Sequence, residues 1–285
     1  MSKDRSGVRV AVENETMEPA DPAVSPLAHF GAEVRLERER LGMSRAELGK
    51  EACCGYSLVA KIEAGDRVPS LDFAETCDRT FPYANGRFAR LWPLALRYAF
   101  PPWFRPYVEL EWSATRLRMF HPLLLPGIVQ TEEYARTVLR TGRPTNLEDL
   151  VTARLERQRV LTREDPCRLW IILDEGVLRR PVGGAQVMRG QLEKLRALAE
   201  NPLHVIQIIP STIAAYPGSG APFGLLSFSE GADVVHVDGF PKGYLLAEPD
   251  DVSTAQSAYD LLKATALPPD ESAPVIDSIL RDCFS

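Results

Sequence analysis

The 285-residue sequence lacks the long apolar segments that mark membrane proteins and secreted precursors. It contains no run of about 18 or more apolar residues, so no segment is expected to cross a membrane as a helix. Its first residues also lack the apolar stretch of a signal peptide. These absences predict a cytoplasmic protein that makes no contact with a membrane.

Cysteine and histidine are too few and too scattered for the common structural and metal sites. The five cysteines show no C-x-x-C spacing, which argues against a zinc site, and their odd number argues against a disulfide framework. None of the four histidines has a second histidine four residues away, as two metal ligands on one helical face would require. We therefore expect no metal, and the adjacent Cys53 and Cys54 stay open between core packing and a redox role.

Signatures of several enzyme classes are missing as well. There is no G-x-S-x-G nucleophile elbow and no G-x-G-x-x-G nucleotide fingerprint. No histidine is followed two residues later by the lysine that phospholipase D-like nucleotidyl hydrolases need. The sequence thus predicts no catalytic residues, no cofactor and a protein that is not an enzyme.

What the sequence does contain, from Ser44 to Gly65, is a pattern typical of two short helices joined by a tight corner. The apolar residues on each side of the corner recur at helical spacing, so they face a common core. These inward positions are Leu48, Ala52, Cys54, Val59 and Ile62. The positions left outside at the start of the second helix are Tyr56, Ser57, Leu58 and Lys61. A helix that enters the DNA major groove presents such exposed first-turn side chains to base edges.

The stretch from Leu27 to Phe81 resembles the repressor-like helix-turn-helix family, also called the phage-repressor or xenobiotic-response-element type. The resemblance implies that the partner is a double-stranded DNA operator. It maps phosphate contacts onto Ser44, Arg45 and Arg67, and it maps base contacts onto Tyr56, Ser57 and Lys61. The alternative for the same segment is a small helical bundle whose helix pair binds protein.

The same resemblance pairs an arginine of the first helix with the glutamate that ends the second helix of the motif, here Arg38 and Glu63. Arg38 lies on the inward stripe of its helix, where a charge needs a partner. Two positions depart from the family, which has alanine and then glycine where this chain has Gly49 and Cys53. A cysteine at the corner must take a left-handed backbone or reshape the turn, at a cost of about 1 kcal/mol.

The charge balance is unfavourable for a protein that binds a polyanion. The whole chain carries a net charge of −6, and residues 27–83 hold eight basic and ten acidic side chains. Repulsion at long range means that one copy alone should bind DNA weakly. We therefore expect a homodimer on an inverted repeat, with two recognition helices about 34 Å apart.

The composition divides the chain into four segments. Residues 1–24 are polar and poor in aromatic side chains, which predicts a disordered tail. Residues 25–83 form the predicted DNA-binding domain, and residues 84–102 form a connecting helix and linker. Residues 103–285 form a larger domain for effector binding and dimerisation.

Within the last segment both helical and strand periodicities occur. Apolar runs at 168–174 and 203–209 flank a helical run at 184–200, which predicts two parallel strands. Three short runs between residues 223 and 247 predict antiparallel strands. The expected fold is a mostly α N-terminal helix-turn-helix domain followed by a larger α+β domain, whose short mixed sheet is flanked by helices.

Four runs in this segment carry a second resemblance: LLLPGIVQTEEYARTVL (123–139), RLERQRVL (154–161), LDEGVLRRPVGG (173–184) and MRGQLEKL (188–195). They resemble the effector domain of a large actinobacterial group of one-component regulators, which is described as antitoxin-like. Because that group is often encoded beside a small acidic protein, the resemblance implies such a partner.

Four residues mark the predicted ligand or partner region of the larger domain: Asp174, Arg179, Arg180 and Tyr216. Asp174 ends a predicted parallel strand, where α/β sheets hold ligands, but it also suits the cap of a short helix. Arg179 and Arg180 precede a proline and two glycines, which fits either an anion cradle or a salt-bridged turn. Tyr216 opens the run YPGSGAPFG, which fits a ligand lid or an ordered connection between strands.

Together these observations predict a sequence-specific transcription regulator that is associated with the nucleoid when bound to DNA. Its C-terminal domain is expected to receive a signal from a small ligand or from a partner protein. The alternative is an enzyme tethered to DNA, with an unrecognised nucleotide or phosphodiester active site in the C-terminal domain.

Overall fold

A computed structural model describes Pro22 and residues 25–284 of the chain. Apart from Pro22, the tail predicted at residues 1–24 lies outside these described residues. Contacts between Cα atoms divide the chain into two compact units. The first contains residues 25–67 and Asp72–Ala95, and the second contains Val68–Leu71 and residues 96–284.

The described residues as far as Arg97 form five helices. They are α1 (Pro26–Arg40), α2 (Arg45–Glu51), α3 (Tyr56–Glu63), α4 (Leu71–Thr80) and α5 (Arg87–Arg97). Ser25 begins α1 by accepting a hydrogen bond from the Ala28 N–H, and Ser44 begins α2 in the same way from the Glu47 N–H. The core of the first unit is built from side chains that these helices bury almost completely: Phe30, Val34, Leu48, Val59, Ile62, Phe81 and Phe88.

The corner between α2 and α3 explains both departures from the family pattern. Cys53 takes a φ of 51°, so the corner uses the left-handed backbone rather than a reshaped turn. A Cβ at Gly49 would lie 2.7 Å from the carbonyl oxygen of Cys54, which is too close for any side chain. Glycine at position 49 is therefore required by the path of this corner.

Helix α5, which the sequence analysis assigns to a connecting segment, packs into the core of the first unit. The Asp78 carboxylate accepts hydrogen bonds from two backbone N–H groups in the first turn of α5, at 3.0 and 2.8 Å. Arg87 binds Glu37 of α1 at 2.7 Å, and the ring centroid of Phe88 lies 5.6 Å from that of Phe30. These contacts make the start of α5 part of the helical domain.

The second unit contains helices on both faces of one mixed sheet. Its helices are α6 (Arg105–Ser113), α7 (Glu132–Arg140), α8 (Leu147–Arg157), α9 (Glu175–Arg179), α10 (Ala185–Glu200), α11 (Pro249–Thr265) and α12 (Pro269–Phe284). Its strands are β1 (Arg116–His121), β2 (Arg168–Asp174), β3 (His204–Ile209), β4 (Phe223–Ser227), β5 (Val234–Val237) and β6 (Tyr244–Leu246).

The strand order is β3-β2-β1-β4-β5-β6. Strands β3, β2 and β1 are parallel, and β4, β5 and β6 continue the sheet in antiparallel pairs. One buried cluster includes Leu117 of β1 together with Leu192 of α10 and Ile279 of α12. A second cluster joins Phe120 of β1 to Tyr259 of α11. The predicted fold class, a helical N-terminal domain followed by an α+β domain, is confirmed.

Strand β1, which pairs with β2 on one side and β4 on the other, is not predicted by the sequence. Arg116 and Arg118 alternate with Leu117 and Met119 along this strand, so its composition is not that of an apolar run. The alternation matches its burial, because Leu117 and Met119 are buried whereas Arg116 is exposed.

Candidate nucleic-acid interface

The first turn of α3 is exposed, and this exposure defines the candidate interface. Tyr56 is 56% exposed, Ser57 and Lys61 are also exposed, and Leu58 is half-buried. Gly55 precedes the helix and has no side chain to cap it, so the first N–H groups of α3 receive no capping bond from a side chain. A helix end of this kind favours negatively charged groups such as phosphates.

The opposite face of α3 is fixed in the core. Val59 and Ile62 are buried, as is Leu48 of α2. At Gly31 the backbone of α1 passes so close to α3 that an added Cβ would collide with the carbonyl oxygen of Ile62. The two faces of α3 therefore differ completely, and α3 cannot rotate without repacking the unit.

The structure brings together the two residues of the predicted ion pair at the end of α3. Arg38 donates two hydrogen bonds to the Glu63 carboxylate, at 2.5 Å from Nε and 3.1 Å from Nη2. Arg45 donates a third from its Nε at 2.7 Å, which the sequence did not predict. Two guanidinium groups thus hydrogen-bond one fully buried carboxylate, and the guanidinium of Arg35 lies 4.0 Å from it.

Electrostatics keep this carboxylate ionised. Burial alone would raise the pKa of Glu63, but the hydrogen bonds from Arg38 and Arg45 outweigh burial and leave the pKa lowered. The same hydrogen bonds raise the pKa of both arginines. The three side chains therefore form a charged cluster that ties α1 and α2 to the last residue of α3.

The three residues predicted to contact phosphates have different surroundings. Ser44 is exposed; its hydroxyl accepts the bond from the Glu47 N–H that caps α2, and its own backbone N–H donates to the Glu47 carboxylate at 2.7 Å. Arg45 also reaches the start of α3, where its Nη1 donates to the Tyr56 hydroxyl at 3.3 Å. Arg67 is half-buried and follows Gly65, whose φ of 76° ends the turn after α3. Whether any of them contacts DNA stays a prediction.

The predicted region in the second unit is occupied by internal hydrogen bonds. Asp174 caps α9 by accepting from the Gly176 N–H at 2.7 Å, and its other oxygen accepts from the Tyr216 hydroxyl at 2.5 Å. Arg179 pairs with Glu175 at 2.7 Å, whereas Arg180 is exposed. This geometry is that of a capped helix and a salt-bridged turn, and a role in ligand or partner binding stays a prediction.

The second unit also holds a cavity of about 470 Å³ that the sequence analysis missed. Its lining brings together His121 and His236, which the sequence presents as isolated histidines, and adds Arg154 and Asp238. One signal was available, because residues two apart on a strand share a face and Asp238 follows His236 at that spacing. Among residues 25–284, no cluster of side chains suited to a metal ion is found.

Two models of known protein families match the chain. Residues 29–81 match the family model described as a helix-turn-helix domain, which indicates a DNA-binding regulator. Residues 104–278 match the model described as a domain of unknown function (DUF5753), and the chain belongs to this family, since the match covers more than half of its length. No curated protein and no solved structure matches the chain. In the part of the chain that the structure describes, every helix is too short or too polar to span a bilayer.

Proposed function

We propose that the chain is a sequence-specific transcription regulator that binds its operator through α3. Tyr56, Ser57 and Lys61 contact base edges, and Ser44, Arg45 and Arg67 contact the phosphates on either side. The single observation that carries this proposal is the difference in exposure between the two sides of α3: its first turn is exposed, while its opposite face is buried. Groove-binding helices combine those two properties.

A homodimer on an inverted repeat is the proposed binding unit. The charge count supports it, because residues 27–83 carry an excess of acidic side chains and one recognition helix offers only Lys61 as a cation. Two copies double the number of phosphate and base contacts on one DNA molecule. Footprints on the operator should then show two half-sites about 10 base pairs apart, or a multiple of that spacing.

The proposed domain organisation assigns DNA binding to residues 25–83 and signal reception to residues 103–285, joined through residues 84–102. The size of the second unit and its cavity support a role beyond dimerisation. The signal is a small ligand or a small acidic partner protein, the latter on the resemblance of the C-terminal segment alone.

The test is selection of bound DNA from a random pool with the purified full chain, followed by footprinting of the enriched sequence. Lys61→Ala is expected to weaken binding to that operator by about 1 to 3 kcal/mol and to leave binding to random DNA nearly unchanged. Arg67→Ala is expected to weaken both equally, as loss of a phosphate contact does.

Lys242→Ala is the matched control, because Lys242 is an exposed lysine of the second unit and the substitution changes the net charge equally. It should leave the specific affinity within about twofold of the wild type. Failure to enrich any sequence would overturn the proposal, and equal losses on operator and random DNA for Lys61→Ala would remove Lys61 as a base contact.

A further inference from the structure

The cavity in the second unit has the size and lining of a site for a small molecule. Its volume of about 470 Å³ falls in the range of roughly 300 to 1,000 Å³ typical of ligand sites. Most of its surface is apolar, with aromatic side chains from the start of the unit and aliphatic ones from the segment after β1. Few polar side chains reach it, so each of them bears on which ligand can enter.

The aromatic wall is rigid. The ring of Tyr107 stacks on that of His236 with centroids 4.0 Å apart, and Phe104 contacts Tyr107 at 5.1 Å. The Tyr107 hydroxyl donates to Glu111 at 2.8 Å, which fixes the ring from behind. Such a wall offers a flat apolar surface to a planar or branched hydrocarbon group.

Two arginines of α8 line the cavity, and one of them is fully compensated. Arg157 donates to both oxygens of the buried Glu111 carboxylate, at 2.6 and 2.7 Å. Its guanidinium also lies over the rings of Phe104 and Tyr107, at 5.0 and 5.4 Å from their centroids. Arg157 therefore supports the wall, and its charge is already matched.

The other arginine, Arg154, is near carboxylates but bonded to none: the charges of Asp238 and Glu111 act on it without a direct contact. Its Nη1 donates to the side-chain oxygen of Gln130 at 2.9 Å, and within residues 25–284 it forms no ion pair with a carboxylate. Gln130 is itself held by a bond from its Nε2 to the Leu125 carbonyl, at 2.7 Å. A guanidinium has five donors, so this arrangement orients Arg154 and leaves most of its donors for a ligand. Burial lowers the pKa of Arg154 to about 10; the charge of Arg157 adds to the effect, and the charges of Asp238 and Glu111 oppose it.

The remaining polar groups limit the charge that a ligand can carry. His121 is buried and burial lowers its pKa to about 4, so it is neutral at physiological pH. Asp238 is a half-exposed carboxylate of the lining, 3.7 Å from Nδ1 of His236. A ligand therefore meets one cation that no carboxylate contacts directly and one nearby anion. This balance favours a single negative charge over the double charge of a phosphate monoester.

We propose that this cavity binds a small organic monocarboxylate, with its carboxylate on Arg154 and its apolar or aromatic body against Phe104 and Tyr107. Binding at this site does not depend on DNA. Its regulatory consequence, a change in operator affinity, rests on the proposed function.

The test uses two fluorescent probes that share one aromatic body and differ in charge, with the full chain. 8-Anilinonaphthalene-1-sulfonate carries one negative charge, and N-phenyl-1-naphthylamine is its neutral analogue. The anionic probe is expected to bind the wild type with one-to-one stoichiometry, and Arg154→Gln is expected to weaken it at least tenfold. The neutral probe should bind both proteins with affinities within twofold of each other.

Arg140→Gln is the matched control, because Arg140 is an exposed arginine at the end of α7 that does not line the cavity. It should change neither affinity. Anionic binding that survives Arg154→Gln within twofold would overturn the proposal. Equal affinity of the two probes for the wild type would also overturn it, and that comparison needs no variant that folds.

Competition identifies the head group. 1-Naphthaleneacetate should displace the anionic probe from the wild type at a concentration at least tenfold below that of 1-naphthyl phosphate. Tighter displacement by the phosphate would overturn the carboxylate assignment. Because probe affinity is measured without DNA, a failure here is distinct from a failure to enrich an operator, which would count against the proposed function alone.

Discussion

Both units of this protein bury a glutamate against an arginine, and in both a second arginine lies close by. In the first unit the second arginine, Arg45, reaches the same Glu63 carboxylate that binds Arg38. In the second unit Glu111 binds Arg157 through both oxygens, and Arg154 binds only a neutral amide. The same three charges thus form a closed cluster in one unit and an incomplete one in the other.

This difference distinguishes the structural role of the Glu63 cluster from the binding role that we propose for Arg154. A buried carboxylate shared by two guanidinium groups holds helices in place, and the charge of its buried partner Arg38 is already matched. An arginine left facing a cavity carries a desolvation cost that an anionic ligand relieves. We therefore expect local compensation of charge, and not the number of charged residues, to indicate where this protein binds an anion.

The largest expected effect comes from breaking the matched pair of the second unit. Glu111→Gln leaves Arg157 buried without a carboxylate and should lower the free energy of unfolding by about 3 to 5 kcal/mol. Urea unfolding followed by tryptophan fluorescence measures the change. Glu109→Gln on the same helix removes only an exposed pair with Arg97 and should cost less than about 1 kcal/mol. Equal costs for the two variants would contradict the assignment of Glu111 as a buried partner.

The corresponding change in the first unit is Glu63→Ala, with an expected loss of about 3 kcal/mol in the free energy of unfolding. The loss arises mainly from Arg38, whose side chain is almost fully buried, whereas Arg45 is partly exposed and is able to turn to solvent. Thermal unfolding followed by circular dichroism measures it. A melting temperature equal to that of the wild type would mean that the cluster does not hold α3 in place.

We expect acid to destabilise the two units over different pH ranges. Burial lowers the pKa of His121 to about 4, below the roughly 6.5 of an unfolded chain, and His236 is also lowered by burial. The unfolded state then binds more protons between those values, so this stability is complete above pH 6.5 and declines as the pH falls towards 4. Because the pKa of Glu63 is lowered in the folded state, its contribution to stability is complete above about pH 4.3. That contribution declines only below this pH, where the unfolded carboxyl becomes protonated.

Chemical unfolding at pH 7 and pH 5 tests this comparison. His121 alone should make the second unit about 2 kcal/mol less stable at pH 5, since one pKa unit corresponds to about 1.4 kcal/mol. His121→Leu should reduce the dependence on pH by that amount. A free energy of unfolding that is flat over this range in the wild type would be inconsistent with a buried neutral histidine.

The smallest expected effect on stability belongs to Arg45. In Arg45→Met, Glu63 keeps both of its bonds to Arg38, so the free energy of unfolding should fall by only about 1 kcal/mol. If Arg45 also contacts phosphate, affinity for operator and for random DNA should fall together.

A double-mutant cycle with Glu63→Ala separates the two roles of Arg45. The stability cost of Arg45→Met should almost vanish in the Glu63→Ala background, while the loss of DNA affinity should persist. A loss of DNA affinity that vanishes with Glu63 would mean that Arg45 acts only by holding α3.

Local pattern was enough to predict the helix-turn-helix and most strands of the sheet. Leu48, Val59 and Ile62 recur at helical spacing, and the strand at 168–174 is a continuous apolar run. The pairing of Arg38 with Glu63 came from family resemblance alone. Nothing in the spacing of Arg45 indicates that it shares the same carboxylate, because that contact depends on how α2 packs on α3.

The features that sequence could not predict depend on tertiary contacts. Strand β1 is hidden by its alternating arginines, which remain tolerable because they fall on a partly covered face of the sheet. The cavity draws its polar side chains from β1, α8 and the end of β5, and no local pattern joins such distant positions. Arg154 has the same helical context as Arg157, and only the position of Glu111 distinguishes them.

The close approach at Gly31 bears on how such a protein acquires a new target. Because α3 rests directly on the α1 backbone, its orientation is set by main-chain atoms and not by the outward side chains. Exchanging Tyr56, Ser57 and Lys61 leaves the contact between α3 and the α1 backbone unchanged. If these three residues contact bases as proposed, redesign of three surface positions should alter operator preference, whereas enlarging residue 31 should displace every outward side chain of the helix at once.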